Sequence, residues 1–306
     1  MRNEAALAET PHIDAVSRAL LAEAPYLEGV IGKQRARFGT EWLDHFERDL
    51  ATFFGNDQTA LENATRGYIK FALDGMLLQR RFDKTRVYEP KTYEEAAAEV
   101  YQNEQYMHTL YLPGLYLSHF LWQHHYLQHI HFVKKFVPML KQHGGKTFYD
   151  VGVGTGFYSR EMLLAVPDMQ GQGFDLSRFA LDYTARMVKA FGADDRYKTN
   201  LQDIIEKPPS TPADFVINVE VLEHLPDPVT FLKALNRMLA PGGLGMITAA
   251  VTAPNADHIY LYNSVDEVAA QVREAGFKVI EQIEDAAYEP KPGQTVPKNA
   301  CVFVTK

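Results

Sequence analysis

Along the first 140 or so residues the apolar positions recur every three or four places. Ile13, Val16, Ala19, Leu20 and Ala24 follow Pro11 at helical spacing, and Phe38, Trp42, Phe46, Leu50 and Phe53 make a second apolar face. Gly55-Asn56-Asp57 reads as a stop followed by a fresh helix start. Thr92 with Glu95 has the spacing of a capping box, ahead of a helix over 96–106. Pro113-Gly114 is expected to break the chain before one last helix, over about 115–140. No alternating valine- and isoleucine-rich run interrupts this half, which therefore reads as an all-helical domain or lid.

From Lys146 the period changes. Residues 147–151 read as a strand, 157–165 as a helix, and 171–175 as a second strand ending in an acid. Ser177 stands near the start of the next helix, which carries Phe179, Leu181, Ala185 and Val188. Residues 197–201 are a third strand, and 214–219 are a fourth, apolar enough for a buried parallel position. Asp227-Pro228 puts a cap and then proline at a helix start, Pro241-Gly242-Gly243 closes that helix, and 244–250 is a fifth strand. Ser264 and Glu267 cap a helix reaching Gly276, and strands over 277–282 and 300–305 flank a loop at 290–297. His143-Gly144-Gly145 is the expected junction between two units, 1–143 and 144–306. Regular alternation of strand and helix implies α/β architecture, a doubly wound sheet with helices on both faces.

A chain of 306 residues accommodates two such units. Its net charge of −8 argues against a broad nucleic-acid footprint. The most basic stretch, Arg80, Arg81, Lys84 and Arg86, is interrupted by Asp83 and reads as a solvated helix end. The single cysteine, Cys301, excludes an intramolecular disulfide framework, multi-cysteine metal sites and iron–sulfur clusters. Met1-Arg2-Asn3-Glu4 lacks the apolar stretch of a secretory leader, and no window approaches a membrane span. The expectation is a cytoplasmic protein without membrane or nucleic-acid partners.

The chemistry begins at Asp150-Val-Gly152-Val-Gly154-Thr-Gly156, where the first strand runs into a glycine turn. Such a turn lets backbone N–H groups approach a ligand closely. The dinucleotide pattern G-x-G-x-x-G needs a third glycine at 157, which is Phe, and no Lys-Ser/Thr pair completes a phosphate loop. In a doubly wound sheet, ligands bind beyond the carboxyl ends of the strands. Those ends carry the glycine turn, Asp175, Asn200-Leu201 and Val219-Glu220. Upstream, the 115–140 stretch holds His119, Trp122, His124, His125, Tyr126, His129 and His131. His125 and His129 have a metal-compatible spacing, but no acid lies in that stretch, so packing, hydrogen bonding or pocket lining is the preferred reading and no metal is expected.

Taken in register, Asp150-Val-Gly-Val-Gly-Thr-Gly, Gly173-Phe-Asp-Leu-Ser177, Asn218-Val-Glu-Val-Leu-Glu-His-Leu-Pro-Asp-Pro228 and Leu239-Ala-Pro-Gly-Gly243 resemble class I S-adenosylmethionine-dependent methyltransferases, specifically the small-molecule branch whose fourth motif reads E-V-L-E-H. The resemblance covers roughly residues 146–306 and implies a Rossmann-like, mostly parallel sheet with the last strand antiparallel, and S-adenosyl-L-methionine as methyl donor. It also implies that Asp150 orients the methionine end, which Gly152, Gly154 and Gly156 wrap. Asp175 would hold the ribose, Leu176 the adenine face and Asn200 the adenine amino group, with Leu201 beside it. The backbone at Val219 and Glu220 would meet the methionine ammonium.

Where the acceptor must lose a proton, His224 is the best-placed base, although packing within its motif is the preferred reading of that residue. His119, His258 and Tyr260 are candidates for contact with the acceptor. The fourth motif is not Asn-Pro-Pro-Tyr/Phe, which argues against adenine-N6 and glutamine methylation, and Cys301 lies in the last strand, away from the site. The expected function is methylation of a small metabolite at O, N or C, in secondary metabolism, with the helical half as substrate cap and a route to a homodimer. The alternatives are a protein or peptide methyltransferase, and a non-catalytic cofactor-binding regulatory subunit.

Overall fold

The computed structural model describes residues 9–306, so the reading of the first residues as free of a leader lies outside the described part. Helix α1 (Pro11–Glu23) begins at a proline, α2 (Val30–Phe54) buries Trp42, Phe46 and Leu50, and α3 (Gln58–Thr85) starts where Asp57 accepts the backbone N–H of Ala60. The basic cluster is spent on surface contacts: Arg81 pairs with Glu89, and Arg86 donates to the carbonyl of Gly293 at 2.9 Å. The Thr92–Glu95 capping box is complete and opens α4 (Tyr93–Glu99). That helix stops earlier than 106, because the chain turns at Val100 and Asn103 caps a new start, α5 (Glu104–Tyr106).

The expected break at Pro113-Gly114 is displaced. A π-helical stretch, Met107–Tyr111, leads straight into α6 (Leu112–Leu121), so Pro113 sits in the first turn, where its missing N–H costs little. Gly114 serves packing instead, since a Cβ there would lie 2.5 Å from Cβ of Phe71. The chain breaks at Trp122, whose extended backbone (φ −103°, ψ 125°) separates α6 from α7 (Gln123–His131). A second π-helical stretch, Phe132–Phe136, then precedes Pro138 and α8 (Val137–His143), which Gly144 ends in the left-handed conformation.

The remainder alternates as expected: β1 (Thr147–Val151), α9 (Phe157–Ala165), β2 (Gln170–Asp175), α10 (Arg178–Ala190), β3 (Tyr197–Leu201), β4 (Ala213–Asn218), α11 (Pro228–Met238), β5 (Leu239–Val251), α12 (Val265–Glu274), β6 (Lys278–Ala286) and β7 (Lys298–Thr305). The sheet order is β3-β2-β1-β4-β5-β7-β6, with β7 antiparallel to both neighbours and the other pairings parallel. This is the Rossmann-like, mostly parallel sheet with an antiparallel last strand. The order reverses between β1 and β4, which opens a crevice beyond their carboxyl ends.

One apolar core packs the helical half onto a sheet face. Phe120, Phe132 and Phe136 join Phe148, Phe157 and Phe303 in it, with Phe136 stacked on Phe303 at 5.6 Å. A second core lies under α11 and α12 on the other face. No helix among the described residues is long and apolar enough to cross a membrane.

Candidate active site

The glycine turn follows β1 directly. Gly152 and Gly154 have φ of +76° and +52°, and a Cβ on Gly152 would stand 2.3 Å from Cγ2 of Val221. Their backbone lines a large cavity at the switch point. Gly156 does not: it caps α9 and presses on Thr184, so its part is packing. Asp150 lies beneath the turn, accepting from the Ser159 hydroxyl, and burial pushes its carboxyl up to about 7. Asp175 lines the cavity at the end of β2 and accepts the Ser177 N–H at 2.8 Å. Burial raises its pKa against the pull of those backbone donors.

Leu176 is half exposed and lines the same wall. Asn200 and Leu201 do not reach it. Within β3 the Asn200 amide donates back to the Gly173 carbonyl at 3.1 Å, and Leu201 points to solvent. The residues that face the crevice come just past the strand: Gln202, Asp203, Ile204 and Ile205. The pleat explains the offset, because a strand side chain is committed to a sheet face while the loop beyond its carboxyl end is not.

Beyond β4, Val219, Glu220, Glu223 and His224 line the opposite wall. Glu220 is held at φ +54°, a strained conformation for a side chain with a Cβ. Its N–H donates to Thr248 Oγ1 at 3.0 Å, and that hydroxyl donates to Glu220 Oε1 at 2.8 Å. Burial pushes Glu220 up to about 7; burial, together with Glu220, raises Glu223 well above the usual carboxylate range.

Both ring nitrogens of His224 face oxygen acceptors: Nδ1 lies 3.2 Å from the Asp257 carbonyl and 3.4 Å from Asp257 Oδ2, and Nε2 lies 3.1 Å from the Glu220 carbonyl. With an oxygen acceptor against each ring nitrogen, His224 is engaged on both sides within the wall, and in this geometry it holds the motif together. Asp257 is fully buried; burial alone would raise its carboxyl, yet His224 and His258 hold it below its ordinary value. Tyr101 Oη donates to Asp257 Oδ2 at 2.8 Å. His258 differs from His224. Its Nδ1 donates to the Ala253 carbonyl at 2.6 Å, which leaves Nε2 with its lone pair, and burial lowers its pKa to about 4. It lines the cavity.

The helical half closes the other side. His119 stacks on Phe157 at 4.3 Å and, with His124 and His125, lines the cavity; burial lowers the pKa of all three. Tyr260 does not line it. Its hydroxyl accepts from Gln271 Nε2 at 2.7 Å, and the ring borders a shallower cleft with Tyr93 and Leu225. The acids absent from 115–140 arrive from elsewhere: His129 pairs with Glu161 and His131 with Asp285, each at 2.7 Å.

Among the described residues two groups offer metal-ligand atoms within 4.8 Å of one another, His45 with His129 and Glu161, and Glu223 with His224 and His258. In the first, Glu161 already has a cationic partner, Arg160, at 3.2 Å. In the second, both His224 nitrogens are already engaged.

The cavity measures 780 Å³, in the upper part of the roughly 300–1,000 Å³ usual for small-molecule sites. Its walls bring together Gly152, Gly154, Asp175, Glu220 and His258 from the sheet side with His119, Trp122 and Tyr68 from the helices. Residues 149–244 match the family model described as methyltransferase domain. The ubiquinone biosynthesis O-methyltransferase of Pseudomonas paraeruginosa is 30% identical over 112 residues, 37% of this chain and 47% of that protein. The protein of the same name from Burkholderia pseudomallei is 29% identical over 165 residues, 48% of this chain and 70% of that protein. The chain spans about half the length of the first of these curated relatives. An O-methyltransferase family protein from Burkholderia thailandensis superposes with a TM-score of 0.53 at 14% identity, covering 80% of this chain and 71% of that one, so the fold is shared.

Proposed function

We propose that this chain, whose second half is a class I S-adenosylmethionine-dependent methyltransferase domain, methylates a small molecule held between that domain and the helical half. The observation that carries this reading is the single cavity joining the glycine turn and Asp175 to a chamber walled by N-terminal helices. The donor fits the residues present. Gly152 and Gly154 leave bare backbone where side chains would intrude, and Asp175 offers a carboxylate edge to vicinal hydroxyls. Leu176 offers an apolar face beside it, and Gln202 and Asp203 take the place expected of Asn200.

S-adenosylmethionine supplies, when bound, a sulfonium methyl: the acceptor's lone pair forms the new bond to carbon as the carbon–sulfur bond breaks, and the electron pair stays on sulfur. The chain's task is to align the acceptor and exclude water, from which proximity supplies much of the rate. Where the acceptor carries a proton, His258 takes it, because its Nδ1 is spent on the Ala253 carbonyl, Nε2 keeps its lone pair, and the residue lines the cavity. His224, through Asp257 and the Glu220 carbonyl, holds that wall in place. A largely apolar cavity of this volume suits a metabolite, including those of secondary metabolism, better than an extended polypeptide.

The test is incubation of the full chain with methyl-labelled S-adenosylmethionine and a small-molecule cell extract. Label is expected in low-mass products together with released S-adenosylhomocysteine, and both are expected to vanish in Asp175→Ala. Label confined to protein, or none in any fraction, would overturn the reading.

A further inference from the structure

We infer that the acceptor is an uncharged, ring-bearing molecule with a hydroxyl or carbonyl group, seated in the chamber between α3, α6 and α7; this deepens the methyl-transfer reading and rests on it. The charge distribution of the cavity carries the first part. Its carboxylates, Asp150, Asp175, Asp203, Glu220 and Glu223, all come from the sheet side. Among the described residues before 144, the lining contains no Asp or Glu, and its one permanently charged side chain is Lys33, which is exposed. A cationic amine would meet no counter-charge there, and a carboxylate or phosphate would meet only that solvated lysine. Bringing either into the chamber forfeits hydration without replacing it.

The shape of the walls carries the second part. Phe71 and Trp122 stack at 5.3 Å with 18° between planes, and Trp122 and His124 stack at 5.7 Å and 10°. With Tyr68 and Met76 they form an apolar wall suited to a flat ring. The third part is what this wall leaves unpaired. Among the described residues His119 Nδ1, His124 Nδ1 and Gln79 Oε1 are buried without hydrogen-bond partners, and all three residues line the cavity. A buried polar atom left unpaired is costly, so a ligand hydroxyl or carbonyl that completes it is favoured. Burial holds His119 and His124 far below the ordinary histidine pKa, so these rings are neutral and can either donate or accept.

The test is calorimetric titration of the full chain, saturated with S-adenosylhomocysteine, with 2-naphthol and with its charged analogues 2-naphthoate and 2-naphthylmethylammonium. The expected result is at least tenfold tighter binding of 2-naphthol than of either analogue. In Gly75→Leu, whose new Cβ would meet nothing nearer than Trp122 at 4.0 Å, 2-naphthol affinity is expected to fall at least tenfold while S-adenosylhomocysteine binds as before. A charged analogue binding as tightly, an unaffected Gly75→Leu, or no 2-naphthol binding by a chain that still binds S-adenosylhomocysteine would overturn the inference alone. Failure to bind S-adenosylhomocysteine at all would overturn the methyl-transfer reading and this inference with it.

Discussion

Asp257 sits beneath His224, fully buried, and accepts the Tyr101 hydroxyl. That arrangement separates the roles of two neighbouring histidines whose rings lie 4.8 Å apart. With no hydrogen bond on Nε2, His258 is the base in the proposed reaction; His258→Gln is expected to cut kcat by roughly 10²–10⁴ while leaving donor affinity unchanged, and an unaltered kcat would refute the assignment. A different histidine gives a pH test. Burial, then the neighbouring His129, lower His45 from 6.5 to about 3. Between those values the unfolded chain binds a proton that the folded chain does not, so His45 contributes stability that is present above 6.5 and lost as pH falls. Relative to His45→Phe, the native chain should lose about 2 kcal/mol in urea unfolding between pH 7 and pH 5. Asp150, Gly152, Gly154, Asp175 and Glu220 were legible in the sequence because glycine and acid spacing after strands has few other uses. Tyr101 and Asp257 were not: they meet across 156 positions, and nothing local in the chain marks that contact.

At the scale of elements, α2 is tied through Arg160 to α9, the helix that follows the glycine turn. Arg160, in the first turns of α9, is fully buried and donates to Asp49 of α2 at 2.6 Å. Its guanidinium also lies 4.5 Å over the Phe157 ring. Removing Asp49 leaves the buried Arg160 guanidinium with Glu161, 3.2 Å away, as its remaining counter-charge, so Asp49→Ala should cost up to about 3–5 kcal/mol in urea unfolding. Replacing both, Asp49→Leu with Arg160→Met, should cost less. Equal losses in the two variants would mean that the pair does not carry this load. Gly114→Ala should cost about 1–3 kcal/mol, because its Cβ would meet Phe71.

The capping box at Thr92, the caps at Asp227 and Ser264, the proline at 228 and the seven strands of the sheet were readable from pattern, because caps and strands are written locally. The break near 113 was misplaced for a reason of the same kind. Proline and glycine are punctuation only where the chain is unconstrained, and here a π-helical turn and the close approach of α3 absorb them.

For the molecule as a whole, Gly144 ends α8 in the left-handed conformation, and the core is not divided there. Phe120, Phe132 and Phe136 share one apolar cluster with Phe148, Phe157 and Phe303. A chain beginning at residue 112 is therefore expected to expose that cluster and lose solubility, measurable as low soluble yield and strong binding of a hydrophobic dye. A monodisperse truncated chain that still binds the donor product would show that the two halves are energetically independent. The central claim, that the crevice at the switch point holds a methyl donor, is tested most directly by titrating the full chain with S-adenosylhomocysteine and, separately, with NAD. The expected result is one S-adenosylhomocysteine per chain, at least tenfold weaker in Asp175→Ala, and no NAD binding; heat from NAD with none from S-adenosylhomocysteine would contradict it.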